Sequence, residues 1–167
     1  MQKNKIMDPV RIHLLLNHFP SVGLIIVLLF LVYGLLTAKH QITAFCRVAL
    51  VLLVLMTVIV NNSGENAEEK LEHQTGFNGE MMEEHEEAAE FAFWAMMALG
   101  AFSIVTMIVG ISNKTLAKKM DYALLILALF VCVIMVRTGN IGGKIRHSEI
   151  TSESTLTPAA NATDDED

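Results

Sequence analysis

The chain has 167 residues and a formal net charge of -6, with 53% of its residues apolar and 18% charged. That length fits one domain. Its apolar residues come in long runs, which excludes an ordinary soluble globular protein, and its acidic balance with no basic patch excludes a nucleic-acid binder.

Four segments are long and apolar enough to span a membrane, about residues 12–37, 42–61, 89–111 and 117–138. Asp8-Pro9 opens the first helix as an N-cap followed by proline at the first helical position. The helix runs from Pro9 to about Thr37, and Pro20 predicts a bend near His18. Its apolar stretch is too long for a signal-peptide h-region. Leu35-Leu36-Thr37-Ala38-Lys39 offers no small-x-small cleavage site, so the segment is expected to be retained.

A tight connection at Lys39-His40-Gln41 leads into the second helix, which carries Arg47 near the membrane face. Beyond Val60 the chain turns polar at Asn61-Asn62-Ser63-Gly64, and the acidic stretch Glu65–His73 is compatible with helix. Residues 74–79 read as loop, with Asn78 or Gly79 capping a third helix from about Glu80 to Ser112. A second tight turn, Ser112-Asn113-Lys114-Thr115, precedes a fourth helix reaching at least Thr138. From Ser152 onward the Ser/Thr/Ala/Asp-rich tail cannot build a core and is expected to be disordered. The expected architecture is an all-α, four-span membrane bundle over residues 1–151 with an acidic tail, 152–167. Cys46 and Cys132 differ in depth by roughly 15 Å, too far for a disulfide, and read as small buried apolar residues.

Helices of about 30 residues measure roughly 45 Å, against a hydrocarbon core of about 30 Å. Both tight turns lie at one end, so the bundle is expected to protrude at the other, where the termini and residues 61–90 lie. The tight-turn end holds Lys39, Arg47, Lys114, Lys118 and Lys119, with Asp121 its only acid. The positive-inside rule places that end in the cytoplasm and the terminal end outside, on the periplasmic face of a bacterial inner membrane.

Of six histidines, His13, His18, His73, His85 and His147 fall at the terminal end; His40 is at the other and reads as interfacial. Imidazoles at a membrane edge are costly unless they bind something, and they are the commonest metal ligands. Counting up from the inner turns puts His18 and Arg137 about 30 Å high, His13 and His85 about 38–40 Å, and His147 about 46–48 Å. His13 and His85 are therefore level, as two axial ligands of one iron must be. His13 and His18 are five residues apart, about 140° around a straight helix, and cannot share a mononuclear site.

In the third helix, Met81, His85, Ala88, Ala89, Ala92 and Met96 share one face, and Glu83, Glu87 and Glu90 another. Small residues below His85 leave room for a flat macrocycle or serve close helix packing. In the fourth, Gly139, Gly143 and His147 follow i, i+4, i+8 spacing, a smooth groove with an imidazole at its outer end or a plain packing motif. Arg137 and Lys144 are near enough to neutralise propionates or phospholipid headgroups.

Other chemistries lack their motifs. The chain has no Cys-x-x-Cys-His, His-Glu-x-x-His, Gly-x-Ser-x-Gly or phosphate loop, and Met82 stands where a di-iron Glu-x-x-His pattern needs glutamate. Met81, Met82, Met96 and Met97 read as core, or with the histidines as a copper site.

The opening Ile12-His13-Leu14-Leu15-Leu16-Asn17-His18-Phe19-Pro20 resembles the H-P-x-x-x-H-F-P start of an uncharacterised family of bacterial four-helix membrane proteins. The segment Gly139-Asn140-Ile141-Gly142-Gly143-Lys144-Ile145-Arg146-His147 is similar to the one closing that family's last helix, and Thr75-Gly76 before an acidic run and His85 fits its middle. The resemblance covers about residues 10–150. Leu14 replaces the family's proline. In layout the family resembles the membrane di-haem cytochrome b superfamily, which implies haem b between helices and electron transfer. Many of those cytochromes place haem near both faces, whereas the histidines here gather at one. On this reading His13, His18, His85 and His147 are the expected ligands, with Arg137 a charge partner beside Gly139 and Gly143. The expected partners are membrane lipid, quinol, a cytochrome or a larger complex. The alternatives are a copper or other divalent metal site for transport or oxidase assembly, and a cofactor-free scaffold subunit of a respiratory complex.

Overall fold

The computed structural model describes residues 9–71 and 79–155, the stretch 145–155 by its backbone alone. The expected loop at 74–78, His73 and the tail beyond 155 lie outside the described residues. The first span is a short helix α1 (Pro9–Leu16) and a longer α2 (His18–Leu36). The others are α3 (His40–Leu71), α4 (Gly79–Ser112) and α5 (Lys114–Thr155). By length and composition four helices can cross a membrane: Pro9–Leu36, His40–Leu71, Gly79–Ser112 and Lys114–Lys144. The architecture is an all-α four-helix bundle. Each span packs on its chain neighbours, and α5 returns to α2 to close the ring.

The bend between α1 and α2 follows from Pro20, which has no N–H for the Leu16 carbonyl. It is mild. Asn17 keeps helical dihedrals (φ −63°, ψ −21°), and its N–H still bonds the His13 carbonyl at 2.9 Å. Farther on, the polar Asn61–Gly64 stretch does not interrupt α3. Its side chains bond within the helix: Ser63 Oγ donates to the Val60 carbonyl and Asn66 Nδ2 to the Asn62 carbonyl, each at 2.7 Å. The glycines near 140 do not end α5 either, and its helical backbone passes the expected boundary at 152 to reach Thr155.

The inward faces follow alternating steps of three and four residues. In α5 the line is Ala117, Asp121, Leu124, Ala128, Val131, Met135, Thr138, Gly142; in α4 it is Met82, His85, Ala89, Ala92, Met96, Leu99, Ser103, Thr106. That spacing keeps one seam facing the bundle axis. Leu24, Leu31, Leu50, Met96, Leu99, Leu124 and Val131 are fully buried along it. Outward-facing Leu29, Ile126 and Val133 are two-thirds or more exposed, as residues that meet lipid tails should be. Small residues set the helix spacing: Cβ atoms on Gly23 and Gly100 would come within 2.5 Å of Leu53 and Val54.

The tight-turn end is closed by specific bonds. Ala38 takes a left-handed φ of 53°. Lys39 N–H bonds the Gly34 carbonyl at 2.9 Å and Ala38 N–H bonds that of Leu35 at 3.3 Å, the two bonds of a Schellman cap with alanine where glycine is usual. About two turns into the bundle, Arg47 Nε and Nη2 grip Asp121 Oδ1 and Oδ2 at 2.8 and 2.7 Å. Ser103 Oγ donates to the Arg47 carbonyl at 2.9 Å, tying α4 to the same point. Cys46 and Cys132 are free.

Candidate functional site

Two imidazoles lie on seams at the terminal end. His13 is carried by α1, seven residues before buried Pro20, so it lies on the inward line of the first span. Its Nδ1 is 3.0 Å from Ser63 Oγ on α3. The Ser63 hydroxyl already donates its hydrogen to Val60. With that donation in place its oxygen accepts from His13 Nδ1–H, a pairing that leaves the lone pair on Nε2. Ligand histidines are commonly held in this way through one ring nitrogen.

His85 lies on the α4 seam. Its Nδ1 is buried with no hydrogen-bond partner among the described residues, and the Thr138 carbonyl of α5 lies beside the ring. An orphaned buried nitrogen costs about 1–3 kcal/mol when nothing satisfies it. His13 and His85 are near enough for charge on one to be felt by the other.

A glycine stands against each ring. A Cβ on Gly64 would sit 3.2 Å from His13 Cε1, and one on Gly142 would sit 2.9 Å from His85 Cε1. No larger residue fits at 142 without moving the imidazole. Thr138, one turn earlier on α5, donates its hydroxyl to the Ala88 carbonyl of α4 at 3.0 Å and fixes the two helices beside His85.

The other expected site residues are placed differently. His18 is exposed, and its Nδ1 bonds the Leu14 carbonyl of the preceding turn at 2.8 Å. Five residues past His13, it has rotated off the seam. Arg137 is exposed and lines a groove on the outer α4/α5 face that includes neither His13 nor His85. Gly139 and Gly143 are exposed, with open space where a Cβ would stand. The glycine that meets an imidazole is their neighbour Gly142, which sequence reasoning passed over; extending the α5 seam from Ala117 finds it. His147 lies on the described α5 backbone, but its side chain lies outside the description, as does His73. On α4, Ala92 and Met96 are buried, Met81, Ala88 and Ala89 are half-buried, and Glu83, Glu87 and Glu90 are exposed; the methionine on the seam is Met82, one residue on from the expected Met81.

Among the described residues no three His, Cys, Asp or Glu side chains converge as a metal site. A bare ion wants three or four protein ligands, whereas haem brings four equatorial nitrogens and asks the protein for two axial ones or fewer. The described donors are two imidazoles on different spans, one with a buried ring nitrogen that has no partner among the described residues and one held through Nδ1 by Ser63, with a glycine against each ring. No protein-family model, curated protein or solved structure matches this chain.

Proposed function

We propose that this membrane protein is a b-type cytochrome-like electron carrier whose haem is held by His13 and His85. The observation that carries the reading is the buried, unpartnered Nδ1 of His85 in electrostatic reach of His13, whose other nitrogen Ser63 has engaged. Bound haem would supply one-electron redox chemistry. The chain's own residues do the rest: the imidazoles ligate, Ser63 fixes the His13 tautomer, and Gly64 and Gly142 let both rings approach. The apolar seam below excludes water.

The positive charges at the tight turns favour a cytoplasmic location for that end, with the histidines facing the periplasm. Electrons would pass between a membrane donor such as quinol and an outer acceptor. The exposed glutamates of α4 suit a basic soluble cytochrome.

Absorption spectra of the detergent-purified protein test this. The reading expects a Soret band and reducible α and β bands, lost or strongly shifted in His13→Ala and His85→Ala and kept in His18→Ala. A colourless protein containing copper by elemental analysis would replace haem with the metal-site alternative. A colourless protein without metal would leave a scaffold.

A further inference from the structure

A second site lies on the outside of the bundle. α4 and α5 enclose a groove of about 440 Å³ lined by Glu84, Val133, Val136, Arg137, Asn140 and Lys144, among others. The α5 members fall at steps of three and four and so share one helix face, climbing about 16 Å from Val133 to Lys144. Chemistry changes along that climb. Val133 and Val136 are 69% and 57% exposed and apolar, which suits acyl chains. Arg137 and Lys144 above them are exposed and make no ion pair with another described residue. Glu84 faces the same groove from α4, also without an ion pair among the described residues.

Two cations and one acid around an apolar floor describe a particular guest. A bare anion would satisfy the cations and be repelled by Glu84. A zwitterion satisfies all three if its phosphate meets Arg137 and Lys144 and its cation meets Glu84. The cation must be able to donate hydrogen bonds to make a charge-assisted contact with a carboxylate; a primary ammonium does so and a quaternary one does not. Long Arg and Lys side chains at a helix's outer end reach naturally to the level of lipid phosphates.

We infer that this groove is a binding site for a phosphatidylethanolamine molecule, with phosphate on Arg137 and Lys144, ammonium on Glu84 and acyl chains along Val133 and Val136. The site does not depend on the haem reading.

Native mass spectrometry after equilibration with matched mixtures of phosphatidylethanolamine, phosphatidylglycerol and phosphatidylcholine tests it. The wild type should retain phosphatidylethanolamine over both others by about threefold or more, the scale of one partly exposed ion pair. The double variant Arg137→Gln/Lys144→Gln should lose retention of every phospholipid at the site. Glu84→Gln should erase the preference for phosphatidylethanolamine over phosphatidylglycerol while retention of the latter persists or rises. All three positions are exposed, and unchanged circular dichroism will show that the bundle is intact. Equal retention of the three lipids by the wild type, a preference for phosphatidylglycerol, or wild-type retention by the double variant overturns the proposal.

Discussion

At the tight-turn end, Asp121 is 1% exposed, yet both carboxylate oxygens are gripped by Arg47, and Ser103 closes over the Arg47 backbone. At the terminal end, His85 keeps a buried nitrogen with no partner among the described residues, and His13 is engaged on one side of its ring by Ser63. Both ends place polar groups on seams that are otherwise apolar. The tight-turn end finishes its bonding inside the chain, as a structural clamp does. The terminal end leaves bonding capacity unused among the described residues, and on the proposed reading haem takes it up. The two look alike as polar residues in apolar helices, and only their partners tell them apart.

The largest effect should come from breaking the clamp. Asp121→Ala leaves Arg47 half-enclosed and unpaired, and loss of one partner of a buried pair costs about 3–5 kcal/mol. Thermal unfolding in detergent should fall well below the wild type, with any haem spectrum of surviving folded protein unchanged. A shifted spectrum would mean the two ends are not independent.

Next come the three glycines of α5. Gly142→Ala drives a methyl to within 2.9 Å of His85 and should destabilise by about 1–3 kcal/mol, as overpacking does, while disturbing haem uptake. Gly139→Ala and Gly143→Ala meet open space and should stabilise the helix by roughly 0.5–1 kcal/mol without touching the spectrum. Equal effects at all three would refute the helix phase described here.

Ser63→Ala removes the acceptor that orients His13. Loss of such a supporting bond typically weakens metal affinity about 10- to 100-fold, so haem retention on dilution should drop while the Soret position holds. Retention equal to wild type would remove Ser63 from the site. The smallest effect is at the tight turn. Ala38→Gly relieves a left-handed alanine and should raise stability by about 0.5–1 kcal/mol in denaturant or thermal melts. A loss of stability would contradict the cap.

Much of this organisation was legible in the chain. The four spans follow from apolar run length and the tight turns from the polar residues between them. The exclusion of His18 from a shared site follows from five residues of rotation. What escaped depended on helix phase and distant pairing. Gly139 and Gly143 drew attention as an i, i+4 pair, yet the neighbouring Gly142 lies on the seam. Arg47 and Asp121 are 74 residues apart, and their only sequence signal was a lone acid among the bases of the tight-turn end. The helical course of Asn61–Gly64 was obscured because side-chain bonds to the helix's own backbone, which short polar residues also use to break helices, here accompany its continuation.

The central claim is that imidazoles from the first and third spans share one iron. Electron paramagnetic resonance of the oxidised, purified protein tests it most directly. The account predicts a low-spin ferric haem signal of the bis-imidazole type, converted to high spin or lost in both His13→Ala and His85→Ala. A haem signal untouched by either substitution, or no haem signal in protein expressed with ample haem supply, would contradict it.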